Sequence, residues 1–365
     1  MASSQAADSL TTRLKAYKQA IDDDIVEYAA YTRAITREQF GPYAALEIDA
    51  FLNMLAAGGK RIRGSLVMLG YEMSGGKDRK IILPAARAIE MLHAYMLILD
   101  DIQDRSSLRR GKPTVHKHFE DYHRQHHLKG DAEHAGLSLA INSALAGAHA
   151  AQIILSNLNA DPQLRLNVLS IVNRTLMITC HGQMNDMMNE LVHDPSMENV
   201  ERVLQWKTAL YTFVNPLHVG MVLAGADCHA TDAITPYATH LGCAFQITDD
   251  ILGIFGDRER LGKSPMDDMR EGKGTVLSVY ALKHALPDEK LFLKNCLGKQ
   301  DLAQAEFERC KKIITDSGAL YFANKLAAKE IDQALDSLSS EQNRWPAADV
   351  KLMHEIASSI QDRQV

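Results

Sequence analysis

Apolar residues recur every three or four positions along most of this chain, and this spacing places them on one face of an α-helix. The ranges 168–178 and 320–338 show the pattern most clearly. Turn-bounded stretches in which apolar and polar residues alternate strictly, as in half-buried strands, are missing from the sequence. The pattern therefore predicts an all-α protein.

Clusters of glycine, proline and aspartate interrupt the helical pattern. These breakers lie at 58–59, 75–76, 111–113, 161–162, 194–195, 232–236, 262–265 and 345–346. The segments between them have about the length of helices in a packed bundle. We therefore expect a helical bundle.

Length and composition give opposite indications about domain number. A chain of 365 residues exceeds the roughly 100 to 200 residues of one typical domain, which favours two domains. However, no composition shift, flexible linker or repeat marks a boundary. We therefore expect one domain over residues 1–365, with residues 1–18 as a flexible N-terminus.

Composition and charge narrow the class of protein. Hydrophobic residues make up 46% and charged residues 24% of the chain, as in soluble globular proteins. The net charge of −6 gives no general attraction for nucleic acid, so any anion site has to be formed locally. No segment approaches the roughly 20 apolar residues of a membrane span, and the N-terminus lacks the apolar core of a signal peptide.

The cysteines indicate a reducing compartment. They are Cys180, Cys228, Cys243, Cys296 and Cys310. No two of them form a CxxC pair, which argues against a zinc site and against a disulfide framework. We therefore expect a cytoplasmic protein with no transmembrane segment and no nucleic-acid partner.

The stretch LILDDIQDRSSLRRGKPTVHKH, residues 97–118, runs from apolar residues through three aspartates to a group of cations. On a helix, Asp100 and Asp104 share a face with His93, whereas Asp101 points aside. The plain alternative is a solvated acidic helix end, but a fully apolar turn precedes these aspartates. Two carboxylates on one face can reach one cation, so the spacing predicts a metal site.

A second acidic group lies in FQITDDILGIFGDRERLGKSPMDDMREGKGT, residues 245–275. Gln246 and Asp250 are one helical turn apart. The residue four positions after Asp249 is Gly253, where a third carboxylate would be expected. The segment therefore resembles the first motif but lacks one of its acids.

Basic residues accompany both acidic groups. Arg109 and Arg110 follow the first, Lys263 and Lys273 follow the second, and GGKRIR occupies residues 58–63. Each basic segment alone is typical of surface charge. Mg²⁺ is commonly held by one or two carboxylates together with phosphate oxygens and water, and arginine forks neutralise phosphate charge. Two acidic helices with three basic segments therefore predict sites for two polyphosphate substrates.

The chain resembles the trans-isoprenyl diphosphate synthases, the group that makes farnesyl, geranylgeranyl and longer polyprenyl diphosphates, over residues 20–360. The blocks that carry the resemblance are GGKRIR, HAYMLILDDIQDRSSLRRGKPTVH, GQMND, KTALYTFVNP, FQITDDILGIFGD and LGKSPMDDMREGKGT. The resemblance implies a single bundle of antiparallel helices around a deep apolar cavity. It also implies a homodimer.

The resemblance further implies roles for individual residues. The positions of the magnesium ligands hold Asp100, Asp104, Asp249 and Asp250, with Asp101 beside the first pair. The positions that bind isopentenyl diphosphate hold Lys60, Arg63, His93 and Arg110. At the family positions that bind the allylic diphosphate, this chain has Arg109, Lys207, Thr208, Gln246 and Lys263. Lys273 lies in the matching basic tail. Asp186 of GQMND matches a cavity-lining carboxylate.

The implied chemistry is a condensation of isopentenyl diphosphate with an allylic diphosphate. Mg²⁺, with Mn²⁺ as a substitute, and the cations draw charge onto the departing diphosphate. The isopentenyl double bond then attacks the ionised allylic carbon, and a proton is lost to the released diphosphate. The Thr208 hydroxyl and the Gln246 amide are suited to stabilise the carbocation in a pocket that excludes water.

The chain departs from the family pattern at several positions, among them EGKGT, residues 271–275, where a cation is commoner before the threonine. Gly253 replaces the third aspartate of the second motif, so we expect weaker or rearranged metal contacts there. Gly64 stands where proline usually follows GGKRIR, which is expected to loosen the start of a helix. Leu145 occupies the place of an aspartate, which puts the polar contacts of its helix in question.

The residues just before the first aspartate of DDIQD are used to predict the chain length of the product. Met96 is one turn before Asp100, and Tyr95 is at the fifth position before it. Both residue types are common in ordinary core packing. A lone aromatic at this position, with no insertion in the motif, resembles the geranylgeranyl type. We therefore expect a C20 product, with C15 second and a longer polyprenyl chain third.

Other functions fit the sequence less well. A class I terpene cyclase shares the first motif but needs only one diphosphate site, and a non-catalytic subunit of a heteromeric synthase commonly loses the acidic motifs. The segment 256–264 has five residues between its glycines where a P-loop needs four. The histidines between 116 and 134 fit no metal-ligand spacing.

Overall fold

The computed structural model describes residues 10–192, 195–256 and 265–361, and these are almost entirely helical. The α-helices are α1 (Leu10–Phe40), α2 (Pro42–Ala56), α3 (Ile62–Met73), α4 (Arg79–Gln103), α5 (Val115–Gln125), α6 (Ala132–Ser156), α7 (Pro162–Leu191), α8 (Met197–Arg202), α9 (Asn215–Leu223), α10 (Cys228–Phe255), α11 (Asp267–Glu271), α12 (Val276–His284), α13 (Pro287–Cys296), α14 (Gln304–Asp316), α15 (Ala319–Ser340) and α16 (Ala347–Gln361). A π-helix (Val203–Val214), a 3₁₀ turn (Gln342–Arg344) and a hairpin of two-residue strands, β1 (Leu108–Arg109) and β2 (Lys112–Pro113), complete the described elements. The predicted all-α class is confirmed.

Contacts between residues divide the chain into two compact units. Unit 1 comprises Met1–Ser170 with Pro216–Ala226, and unit 2 comprises Ile171–Asn215 with Asp227–Val365. The first acidic motif lies in unit 1 and the second in unit 2. The division does not test the predicted single domain over residues 1–365, which stays a prediction.

Unit 1 is built around α4, which packs against α3 and α6. Asp78 caps this helix by accepting a hydrogen bond from the backbone N–H of Lys80 at 2.9 Å. Because one side of α4 is apolar throughout, Ile89, Met91 and Ile98 are fully buried. The acidic end of α4 is therefore attached to a firmly packed helix.

Unit 2 is built around α10, which packs against α15 and the π-helix. Asp227 caps α10 by accepting from the N–H of Ala230 at 2.9 Å. A Cβ atom placed at Gly242 would lie 2.4 Å from the Cα of Ala209, so glycine is needed for the close approach of α10 to the π-helix. The approach brings the π-helix beside the second acidic motif.

The structure describes the second half of the predicted N-terminal segment. Residues 10–18 belong to α1, although the sequence predicts a flexible N-terminus over residues 1–18. Tyr17 explains the difference, since it is only 3% exposed and its hydroxyl hydrogen bonds to Glu72. A buried aromatic side chain with a polar partner anchors this part of the helix.

Two described helices, α4 and α6, are long and apolar enough to cross a membrane by length and composition. The sequence predicts no transmembrane segment. Buried core helices of soluble proteins pass the same test, and 56% of the most apolar window of α4 is buried inside the structure. The two helices are therefore weak support for a membrane span.

Candidate active site

The first acidic motif occupies the C-terminal end of α4. Asp101 is 1% exposed, and Arg109 donates to its Oδ1 from Nε and from Nη2, each at 2.7 Å. Asp100 and Asp104 are partly exposed, and Arg109 Nη2 lies 3.5 Å from Asp100 Oδ2. Asp101 thus holds Arg109, and the Nη2 atom of the same arginine also lies near Asp100.

Burial dominates the ionisation of Asp101. It raises the pKa of this carboxyl to about 6, against the lowering effect of Arg109, and the nearby charges of Asp100 and Asp104 raise it further. The buried Oδ2 atom of Asp101 accepts no hydrogen bond from the described residues. Asp101 is therefore suited to hold Arg109 in place.

The hairpin of β1 and β2 brings Arg110 to the glycine turn of GGKRIR. Arg110 adopts a left-handed backbone conformation with φ 53°. Its guanidinium group donates to the carbonyl oxygen of Gly58, and a Cβ atom at Gly59 would lie 2.9 Å from Arg110 Nη2. Gly59 has φ 139°, a backbone conformation that favours glycine at this turn. This contact brings Arg110 to the segment that contains Lys60.

Arg61, within GGKRIR, is held inside unit 1. It has a left-handed conformation with φ 49° and is 6% exposed. Its guanidinium group donates to Asp22 Oδ1 at 2.8 Å, to the Leu55 carbonyl oxygen at 2.8 Å and to Glu90 Oε2 at 3.4 Å. Arg61 and its buried partner Glu90 are not among the residues that the sequence pattern predicts for the site. These contacts fix the backbone between Lys60 and Arg63.

His93 and Arg63 come together, as the resemblance implies for two residues of one binding site. Arg63 Nη1 lies 3.1 Å from His93 Nε2. Burial lowers the pKa of His93 well below its usual value, and the charges of Arg63, Arg109 and Arg110 lower it further. His93 is therefore neutral at physiological pH, and its Nε2 atom can accept a hydrogen bond from Arg63.

Unit 2 collects the second group of predicted residues on the π-helix and α10. Thr208 Oγ1 donates to Gln246 Oε1 at 2.8 Å, and Gln246 Nε2 donates to Asp250 Oδ1 at 2.7 Å. The three side chains thus form one hydrogen-bonded chain. A π-helix is rare and often occurs at functional sites, and no feature of the sequence predicts this one.

Lys207 is anchored by the GQMND segment of α7. A Cβ atom at Gly182 would lie 2.4 Å from the backbone nitrogen of Lys207, so glycine permits α7 to approach the π-helix. One turn later, Asp186 accepts a bond from Lys207 Nζ at 2.6 Å and is 8% exposed. Asp186, predicted to line a cavity, therefore serves as the partner of a predicted substrate-binding lysine.

The ionisation of Asp250 is strongly perturbed. Burial raises its pKa to about 8, although the hydrogen bond from Gln246 lowers it. The charges of Asp268 and Asp186 raise the pKa further, while Lys273 lowers it. Such a carboxyl is protonated at neutral pH until a cation binds, and strongly shifted groups are typical of functional sites.

Lys273, in the predicted basic tail, lies among carboxylates. Its Nζ atom is 3.0 Å from Glu271 Oε2 and 3.9 Å from Asp268 Oδ1. Asp268 also approaches α10, where a Cβ atom at Gly253 would lie 2.0 Å from Asp268 Oδ2. Lys263, another predicted substrate-binding residue, lies outside the described residues.

The pair of predicted carboxylates in each unit suits a magnesium ion that also binds a phosphate group. Unit 1 offers Asp100 and Asp104, and unit 2 offers Asp249 and Asp250, so all the predicted ligands are carboxylates. Within the described ranges, no three His, Cys, Asp or Glu side chains are grouped so that they could hold a metal ion by themselves. Mg²⁺ commonly binds to one or two carboxylates and completes its shell with phosphate oxygens and water. The residues therefore fit the ion.

The remaining predicted positions lie on two helices of unit 1. Tyr95 and Met96 are partly buried on α4. Leu145, on α6, is 44% exposed, so its side chain is directed to the surface of the described unit. The polar contacts of α6 nearby are made by other residues, since Ser143 donates to the carbonyl oxygen of Glu47 at 2.9 Å.

Comparison with known proteins gives consistent matches. A family model described as polyprenyl synthetase matches residues 47–314, a range that includes both acidic motifs. A geranylgeranyl diphosphate synthase of Saccharolobus solfataricus is 35% identical over 290 residues, which cover 80% of this chain and 82% of that protein. A geranylgeranyl diphosphate synthase of Sulfolobus acidocaldarius is 32% identical, covering 81% of this chain and 84% of that protein. The solved geranylgeranyl pyrophosphate synthase of Corynebacterium glutamicum, complexed with isoprenyl diphosphate and magnesium, matches with a TM-score of 0.89 and 28% identity, covering 95% of this chain and 99% of that one.

Proposed function

This chain belongs to the polyprenyl synthetase family, and on that premise we propose that it condenses isopentenyl diphosphate with allylic diphosphates as a trans-prenyltransferase. The observation that carries the proposal is the pairing of adjacent carboxylates with cations in each unit. Asp100 and Asp101 lie beside Arg109 in unit 1. In unit 2, Asp250 lies in the same cluster as Lys273. Diphosphate groups require such cations, and their metal ions require the carboxylates.

The proposed product is geranylgeranyl diphosphate. Relatives that are 32% and 35% identical over most of this chain carry that name. The lone aromatic residue Tyr95 on α4, before the first aspartate of DDIQD, supports the same product. The proposed allylic substrates are dimethylallyl, geranyl and farnesyl diphosphates. A farnesyl or longer polyprenyl product remains the alternative.

A divalent metal is required in this family, and we propose magnesium, with manganese as a substitute. Asp100 and Asp104 would hold it in unit 1, and Asp249 and Asp250 in unit 2. When bound, the metal neutralises diphosphate charge and so favours cleavage of the allylic carbon–oxygen bond.

The chain's own residues bind and orient the two substrates. Lys60, Arg63 and Arg110 are cations suited to isopentenyl diphosphate, and the buried contacts of Arg61 fix the backbone between Lys60 and Arg63. Neutral His93 adds no charge, so it can orient Arg63 without repelling it. Preorganised donors of this kind need little rearrangement during the reaction.

In unit 2, Lys207 and Lys273 are the cations that we propose for the allylic diphosphate. When it departs, positive charge develops on the allylic carbon. The dipoles of Thr208 and Gln246 are fixed by their mutual hydrogen bond at 2.8 Å, and they are suited to stabilise that charge. The isopentenyl double bond then forms the new carbon–carbon bond, and the proton lost afterwards passes to the released diphosphate.

We propose that the protein is a cytoplasmic homodimer. On α6, the apolar side chains Leu139, Ile141, Leu145 and Ile153 are 40% to 60% exposed. An apolar surface on a long helix is costly in water and is typical of a subunit interface. Leu145, which departs from the family pattern, thus contributes apolar area to the proposed interface.

The test of the proposed activity is direct. Purified protein is incubated with magnesium, isopentenyl diphosphate and farnesyl diphosphate, and extracted products are sized by chromatography. We expect geranylgeranyl diphosphate, and we expect Asp100→Ala to lower turnover by orders of magnitude while the circular dichroism spectrum is retained. Full activity in EDTA would contradict the metal assignment. A cyclic hydrocarbon product would indicate a terpene cyclase, and no product without an added partner chain would indicate a non-catalytic subunit.

A further inference from the structure

Lys273 lies between α11 and α12, and its main chain is hydrogen bonded to residues of both helices. The preceding residue, Gly272, turns the chain out of α11 with φ 80°. The backbone N–H of Lys273 donates to the carbonyl oxygen of Asp268 at 3.1 Å. The carbonyl oxygen of Lys273 accepts from the Ser278 hydroxyl at 2.9 Å. The main chain at Lys273 is therefore fixed on both sides.

The hydroxyl of Ser278 is buried and makes a contact in each direction. The residue is 3% exposed. Its Oγ atom accepts from the backbone N–H of Thr275 at 2.9 Å, and its one hydrogen is directed to a carbonyl oxygen. The carbonyl oxygen of Lys273 is the nearer acceptor at 2.9 Å, and that of Thr275 lies at 3.2 Å. Because a hydroxyl donates and accepts at once, Ser278 connects the first turn of α12 to Lys273.

The side chain of Lys273 leads from this fixed main chain toward the second acidic motif. Its Nζ atom is 3.0 Å from Glu271 Oε2 and 3.9 Å from Asp268 Oδ1. Asp268 packs against Gly253 on α10, one turn after Asp249. A lysine side chain is flexible along its four-carbon stem. The place of the ammonium group therefore depends on where the main chain is held.

We propose that Ser278 is a positioning residue that holds Lys273 in place for the diphosphate group of the allylic substrate. The proposal rests on the proposed function, because Lys273 is one of the cations proposed for that substrate. Ser278 acts only through Lys273. Its hydroxyl restricts the lysine before the substrate arrives, so less conformational freedom is lost when the diphosphate binds.

The alternative is that Ser278 only stabilises α12, and Thr275 provides a matched control. The two residues form a capping box, in which the N–H of Ser278 also donates to Thr275 Oγ1 at 3.3 Å. Thr275→Ala removes this acceptor and so weakens the start of α12, but it leaves the Ser278 hydroxyl beside the carbonyl oxygen of Lys273. Ser278→Ala removes that hydroxyl. The two variants therefore separate helix capping from the positioning of Lys273.

The first experiment measures the binding of farnesyl diphosphate by calorimetry, with Mg²⁺ and without isopentenyl diphosphate. For Ser278→Ala we expect an affinity weakened roughly two- to tenfold, as for the loss of one hydrogen bond. For Thr275→Ala we expect the affinity of the unsubstituted protein. Equal weakening in both variants would show a capping role only and would overturn the proposal, as would an unchanged affinity in Ser278→Ala.

The second experiment is a double-mutant cycle with Lys273→Met, which removes the ammonium group and keeps an unbranched side chain. In this background Ser278→Ala should not weaken the binding of farnesyl diphosphate further, because no charge is left to be positioned. A residue that only stabilises the fold would weaken binding equally in both backgrounds. Additive effects of the two substitutions would therefore contradict the role of Ser278.

The binding measurements need no turnover, so they are independent of the test of prenyltransferase activity. If the unsubstituted protein binds farnesyl diphosphate but forms no prenyl product, the proposed function fails, and the double-mutant cycle still decides the role of Ser278. If the product forms, Ser278→Ala should raise KM for farnesyl diphosphate and leave kcat within about twofold, the result of losing uniform binding. Product formation with an unchanged KM would remove the role of Ser278 and leave the proposed function standing.

Discussion

At the residue scale, the buried carboxylate of Glu90 accepts hydrogen bonds from two different groups. Its Oε1 atom accepts from the backbone N–H of Gly64 at 2.8 Å, and its Oε2 atom faces the guanidinium group of Arg61 at 3.4 Å. A proline at position 64 has no N–H to donate. The sequence predicts a loosened start of α3 at Gly64, and in the structure the N–H of Gly64 is bonded to a side chain of α4, which stabilises that start.

Gly64→Pro is expected to destabilise the protein by roughly 1 to 3 kcal/mol, the usual cost of an unsatisfied buried acceptor. Urea unfolding provides the measurement. Gly64→Ala keeps the N–H but places a Cβ 2.8 Å from Ile21 Cδ1, so it measures the steric part separately. A proline variant as stable as the unsubstituted protein would contradict the role of Glu90.

The raised pKa of Asp250 predicts a pH dependence of stability. Because burial raises this pKa to about 8, above the roughly 3.9 of an unfolded aspartate, the metal-free folded state holds a proton that the unfolded chain releases. This stabilising contribution is complete below about pH 3.9 and is lost as the pH rises through 8. In Asp250→Asn it is absent.

Thermal unfolding in EDTA at several pH values between 5 and 9 provides the test. The melting temperature of the unsubstituted protein should fall relative to that of Asp250→Asn as the pH rises. Asp101, whose pKa is raised to about 6, is present in both proteins and so does not affect the comparison. Parallel curves would contradict the assignment.

At the element scale, α4 joins the first acidic motif to the residues proposed to limit chain growth. Met96 lies one turn before Asp100, and Tyr95 precedes it. If these side chains form the floor of the cavity, smaller ones should deepen it. We expect the combined Tyr95→Ala and Met96→Ala variant to make products longer than C20, as measured by chromatography.

The exposed aromatic residue Tyr31, on α1, provides a control for that experiment. It is 65% exposed, so Tyr31→Ala should leave the product length unchanged. An unchanged length distribution in the combined α4 variant would mean that other residues limit the chain.

Helical spacing predicted the elements well because it is a local property. Asp100 and Asp104 share a face of α4 at any α-helical geometry, so their pairing could be derived from sequence alone. The contacts of Glu90 with Gly64, and of Asp268 with the space at Gly253, join residues on different helices. Spacing along one helix carries no information about such contacts, and the π-helix has no distinctive composition.

At the scale of the whole molecule, the exposed apolar side of α6 has a measurable consequence. Ile141 and Leu145 are 41% and 44% exposed, and the proposed homodimer would bury them. The combined Ile141→Asp and Leu145→Asp variant should therefore be monomeric by light scattering coupled to size-exclusion chromatography. A charge within an apolar interface is costly because it loses its hydration without gaining a partner.

A charge on an unrelated apolar surface residue is the matched control. Leu291 is 61% exposed on α13, and Leu291→Asp should remain dimeric. A monomeric unsubstituted protein would contradict the homodimer itself, and a dimeric α6 variant would assign the interface to another surface.

The π-helix also determines which genetic changes this enzyme can tolerate. Substitutions within Val203–Val214 alter one side chain at a time, but deletion of one residue shifts every position on one side of it. Because each residue of a helix adds a fixed rotation about its axis, a deletion just after Thr208 would rotate that hydroxyl relative to the residues that follow it. Related proteins are therefore expected to differ in the amino acids of this segment but not in its length.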